Sequence, residues 1–137
     1  MTGSLENELK ERIDAVEAAY EFMLAYAAQG VSGVEEGGSS TEIHTQLKRC
    51  EDAVDGLAPL FEELVAARGL EPAKPYSSFI GVLDRDARTA RAAIQLVLAQ
   101  GAISSQLIDN LNALIHLRSL LTDLFFIDEI LRLKQAG

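Results

Sequence analysis

Apolar positions recur along this chain in alternating steps of four and three, the spacing that lays one stripe along an α-helix. The first stripe is Leu9, Ile13, Val16, Tyr20, Met23 and Ala27. It predicts a helix over about 5–29, stopped by Gly30. The second stripe is Ile43, Leu47, Cys50, Val54, Leu57, Phe61 and Leu64, with a polar start in "STEIH" and an end at Gly69. It predicts a helix over about 41–68. The third, Ile80, Leu83, Ala87, Ala90, Ile94 and Val97, predicts a helix over about 76–100. A fourth helix, capped by Ser104 or Ser105, is predicted over about 104–135. Between the first two helices "GVSGVEEGGSST" has the composition of a mobile linker, and "GLEPAKP" is a proline-rich turn.

Pro59 falls inside the second helix, where it removes one backbone bond and crowds the carbonyl of Asp55. The outcome is either a break near Asp55-Gly56 or a kink. The stripe crosses the proline without a change of phase, which predicts one helix kinked at Pro59. Four amphipathic helices of similar length, joined by one long and two short links, predict a single all-α domain over 1–137. Its architecture is an up-down-up-down antiparallel four-helix bundle.

The fourth helix departs from the common pattern. Its polar line runs Ser105, Asp109, Asn112, His116, Ser119, Asp123 and then turns apolar as Phe126, Ile130, Leu133. Wet and dry faces swap between Arg118 and Asp123. A straight wall of a monomeric bundle does not do this. The stripe Phe126, Ile130 and Leu133 is therefore predicted to be exposed and to form a homodimer interface through the C-terminal half of this helix.

Two charges interrupt apolar arcs. Asp86 points among Phe79, Val82, Ala90 and Ala93, and Arg118 stands where the line Leu107, Leu111, Leu114, Leu121, Phe125 expects an apolar residue. In a hairpin turning near Ala102, Asp86 and Arg118 lie level. Burying either charge alone is costly, so the sequence predicts a buried Asp86–Arg118 pair with Arg12 near the same level. Such a pair sets helix register or lines a ligand pocket. Asp84, Arg88, Arg91 and Gln95 share the opposite face, which reads as solvated, with Asp84–Arg88 paired one turn apart.

Composition narrows the classes. The chain has 137 residues, 48% hydrophobic and 24% charged, with no tryptophan. A domain of this length buries its own core without a disulfide or metal. Cys50 is the one cysteine, which rules out an internal disulfide and fits a reducing compartment. The opening "MTGSLENELKERID" lacks the apolar core of a signal peptide, and no run is long enough to span a bilayer. The expectation is a cytoplasmic protein without a membrane partner. The net charge is −9, and residues 1–68 carry all of it, with fourteen acids against five bases. Residues 69–137 balance seven of each. An acidic chain repels phosphate backbones, so nucleic acid is not an expected partner. The acidic half keeps the chain soluble or draws a basic protein partner.

No catalytic motif emerges. His44 and His116 follow Thr41 and Ala113 by three residues, so the carboxylate-x-x-His ligand set of di-iron bundles is missing. A single cysteine excludes covalent haem attachment. Cys50 lies on the second stripe as a small buried hydrophobe. Neither metal nor cofactor is expected. The chain reads as a protein-interaction or regulatory module acting as a homodimer. The alternative is a ligand-binding or catalytic bundle with a polar site around Asp86 and Arg118.

Overall fold

The computed structural model describes residues 2–33 and 38–133, and all regular structure among them is helical. Six helices follow in order: α1 Thr2–Ala28, α2 Gly38–Val54, α3 Leu57–Arg68, α4 Ala73–Leu98, α5 Ser105–Ala113 and α6 Ile115–Leu131. Positions 34–37 of the predicted linker and 134–135 of the predicted fourth helix lie outside the described residues.

The second stripe is buried at every position, from Ile43 through Cys50 and Leu57 to Leu64. So is the third, from Ile80 to Val97. The single kinked helix over 41–68 is not what forms, however. The chain breaks at Asp55-Gly56, because Gly56 takes a left-handed conformation at φ 75° that ends α2. Pro59 then falls in the first turn of α3, where a missing N–H costs little. The seam stays in phase because both short helices bury the same stripe. At the break Arg12 of α1 donates from Nη1 to the carbonyls of Asp52 at 3.4 Å, Ala53 at 3.3 Å and Asp55. One guanidinium thus satisfies carbonyls that the end of α2 leaves open.

The predicted fourth helix is also two. Ser104 caps α5, its Oγ accepting from the Leu107 N–H at 3.0 Å. At Leu114 the backbone turns extended, with φ −63° and ψ 128°. No glycine or proline marks the place. The phase of burial marks it instead. In α5 the buried positions include Ile108 and Leu111, whereas in α6 they are Leu117, Leu120, Leu121, Leu124, Ile127, Asp128 and Leu131. Continuing the α5 stripe would bury Ile115 and Thr122, and both are exposed. The buried face does change along this segment, but at the break at Leu114 and not between Arg118 and Asp123, where α6 keeps one buried stripe throughout.

The connections hold the ends together. After α1, the Val31 N–H donates to Ser105 Oγ at 3.0 Å, and the Ser105 N–H to the Val31 carbonyl at 2.9 Å. Ser105 Oγ donates to the Tyr26 carbonyl at 2.6 Å, and the Tyr26 hydroxyl donates to the Ile103 carbonyl. Gly33, at φ 89°, passes so close to Ile103 that an added Cβ would stand 2.6 Å from its backbone carbon. Ser105 is buried by this stitching, not solvated as its place on the polar line suggested. At the other end Arg68 bonds Glu6 at 3.0 Å and donates to the Leu131 carbonyl at 2.7 Å, closing α6. α1 packs along α2, α3 and α5, while α4 packs along α2, α3 and α6; α1 and α6 touch only sparsely. No described helix is long and apolar enough to cross a membrane.

Candidate functional site

The predicted stripe on the last helix is exposed at two of its three positions. Phe126 is 55% exposed and Ile130 49%, while Leu133 is buried. Leu133 leaves the stripe because α6 ends at Leu131 and Arg132 turns left-handed at φ 58°, folding the next side chain into the core. The stripe has company that the sequence did not reveal. Phe126 meets Phe79 of α4 edge-to-face, with ring centroids 5.2 Å apart. Pro72, Pro75, Tyr76, Phe79, Phe126, Ile127 and Ile130 line an apolar groove of about 390 Å³ between the start of α4 and the end of α6. Phe125 and Val82 are exposed as well. Partly exposed aromatics clustered with proline and isoleucine form the kind of patch that marks contact with another molecule.

The predicted buried pair does not form. Asp86 faces His116, with Nδ1 to Oδ1 at 3.6 Å, and Arg118 is exposed. Two residues along a helix separate side chains by about 200°. The break at Leu114 is the physical reason: counting outward from Ala102 assumes an unbroken helix, and the register is off by two. Arg12 does not approach Asp86 either, because it is committed to the end of α2. Asp86 has a second neighbour, Asp123. Burial, then a hydrogen bond and charge from Asp86, push the Asp123 carboxyl up to about 7. A proton held there lets the two carboxyls share a hydrogen bond instead of repelling.

The buried acid that the sequence reading missed is Glu51. It lies on α2 facing α4, where Gln95 Nε2 donates to it at 2.7 Å and Arg91 pairs with it at 3.4 Å. Lys48 closes the group at 3.1 Å. The hydrogen bond from Gln95, then those charges, hold Glu51 below the usual carboxylate range. Half of the face read as solvated is thus occupied: Asp84–Arg88 pair as predicted at 2.8 Å, but Arg91 and Gln95 reach across to α2. One residue before Glu51, Cys50 is fully buried, and desolvation pushes its thiol up to about 12. It serves packing and not thiolate chemistry.

Among the described residues no group of three or more His, Cys, Asp or Glu side chains has the arrangement to hold a metal ion. Asp86, Asp123 and His116 gather between α4 and α6, and the Glu51 group ties α2 to α4 beside a cavity of about 760 Å³ that Lys48, Glu51 and Gln95 help to line. The groove between α4 and α6 is an apolar opening, lined by aromatic, proline and isoleucine side chains. No family model matches the chain, and neither the curated proteins nor the solved structures contain a match.

Proposed function

We propose that this chain is a protein-interaction module that associates with a second copy of itself through the apolar face shared by α4 and α6. The observation that carries this is the continuity of exposed Phe126 and Ile130 with Phe79, Pro72 and Pro75. The architecture we propose beneath it is a bundle of four walls, up-down-up-down, with α2 and α3 forming one wall and α5 and α6 another. Supporting it, each broken wall packs between α1 and α4.

Charge favours a second copy over a basic partner at this face. The groove lies wholly within residues 69–137, where acids and bases balance, so two copies meet there without net repulsion. A basic partner would be drawn to the acidic half, which supplies α1, α2 and α3. The face also offers both knobs and groove. Phe126 and Ile130 stand out from α6, while Pro72, Pro75 and Tyr76 flank the hollow, so a two-fold axis lets each copy fill the other.

Ile130→Asp tests the proposal. A carboxylate at the centre of an apolar interface weakens association by about a hundredfold or more. In sedimentation equilibrium the parent protein is dimeric and the variant monomeric, with unchanged helical circular dichroism. A monomeric parent, or a fully dimeric variant, overturns the reading.

A further inference from the structure

The apolar face shared by α4 and α6 has a titratable end. On α4 the positions 79, 82 and 86 stand at i, i+3 and i+7, so Phe79, Val82 and Asp86 share one stripe. On α6 the positions 123, 126 and 130 have the same spacing, so Asp123, Phe126 and Ile130 share another. The two stripes meet along an antiparallel seam. Phe79 packs on Phe126 near the start of α4, and Asp86 lies beside Asp123 and His116 further along it. The acids therefore sit on the seam whose other end opens as the apolar groove.

Three titratable groups meet at the acid end. Asp86 has 18% of its side chain exposed, and His116 Nδ1 lies 3.6 Å from its Oδ1. Asp123 Oδ2 is buried with no hydrogen-bond partner. A charged carboxylate in that position lacks the donor that would offset its lost water. Two other helices pack against α6, α5 and, sparsely, α1. α5 brings one titratable residue, Asp109, which is exposed, and α1 brings Glu17 and Glu21, which line another flank of α6 with Arg118 and Thr122. Burial, and then Asp86, raise the Asp123 carboxyl to about 7.

We infer that self-association through the α4–α6 face is coupled to a proton held between Asp86 and Asp123, an inference that rests on the interface proposed above. With the proton in place the two carboxyls share a hydrogen bond, and the seam closes beneath Phe79 and Phe126. Without it two like charges face each other in a partly buried seam, and they push α4 and α6 apart beside the aromatic pair. A second copy laid on Phe126 and Ile130 also removes water from Asp123, one turn away, and so favours the protonated form further. Association is thus tighter on the acid side of the Asp123 transition and weakens as pH rises through about 7.

The test is sedimentation equilibrium of the full chain at about pH 5.5, 7 and 8.5 and a single ionic strength. The dissociation constant of the parent dimer is expected to rise about tenfold or more across that range. Asp123→Asn carries an amide that donates to Asp86 at every pH, so its constant changes by less than about threefold and stays near the acid-side value. Asp86→Asn leaves burial alone to act on Asp123 and keeps a smaller rise than the parent. His116→Gln keeps the full rise, because the proton lies between the carboxyls. Helical circular dichroism reports that each variant is folded. Parallel profiles for the parent and Asp123→Asn, or a rise abolished by His116→Gln, overturn the proton link and leave the interface standing. A parent protein that is monomeric at every pH overturns both.

Discussion

Asp123 sits one helical turn before Phe126, with Asp86 of α4 beside it, and burial together with that neighbour raises its carboxyl to about 7. In the unfolded chain an aspartate titrates near 4. The folded protein therefore holds a proton on Asp123 through a range where the unfolded chain has released it. The contribution to stability is complete below about pH 4 and is lost as pH rises through about 7. Urea denaturation between about pH 5 and pH 8 is expected to show a falling midpoint for the parent protein. Asp123→Asn keeps the shape and removes the titration, so its midpoint falls less over the same range and lies higher at the alkaline end. A parent and variant with parallel pH profiles would show that the proton is not held there. The sequence did not show this pair of acids. Asp123 stood on a polar line that continued from α5, and only the changed phase of α6 turns it toward Asp86.

At the scale of the elements, the two breaks differ in how far they could be read. Asp55-Gly56 carries its own mark, since glycine accepts the left-handed backbone that ends α2. The choice of a kink instead rested on the unbroken stripe from Ile43 to Leu64, which is consistent with both outcomes because two short helices can share one buried face. The break at Leu114 carries no such mark. Ala113, Leu114 and Ile115 bring neither the backbone freedom of glycine nor the missing N–H of proline, and only the buried phase on either side gives the break away. Extrapolating one helix through it placed Arg118 in the core and Ser105 and Asn112 in solvent, and each is on the other side. The regular stripes of α2, α3 and α4 were legible because uninterrupted 4-3 spacing leaves one packing solution. Arg12 supplies a test of the first break. Arg12→Ala leaves the terminal carbonyls of α2 without their donor and is expected to destabilise the fold by about 2 kcal/mol, the scale of a hydrogen bond to a charged group. Glu8→Ala removes only the exposed pair with Arg12, at 3.2 Å, and is expected to cost less than about 0.5 kcal/mol. Equal losses from the two variants in urea denaturation would assign the effect to the ion pair and not to the end of α2.

At the scale of the whole molecule, the two halves of the chain differ in charge. The acidic half supplies α1, α2 and α3, and the balanced half presents the apolar face. Two residues of that face, Phe126 and Ile130, were legible because the polar line of the fourth helix turned apolar. Its other side, Phe79 with Pro72 and Pro75, was hidden in the start of α4, where proline reads only as a turn and the partnership is set by tertiary packing. The direct test of self-association through this face is the distance between spin labels on two copies, measured by double electron–electron resonance. Glu129 on α6 and Glu11 on α1 are both exposed. Cys50 is buried with its thiol near 12, so a label attaches to an introduced cysteine alone. Glu129→Cys is expected to give a well-defined distance between copies, shorter than that from Glu11→Cys. No inter-copy signal from position 129, or a shorter distance from position 11, would contradict the proposed interface.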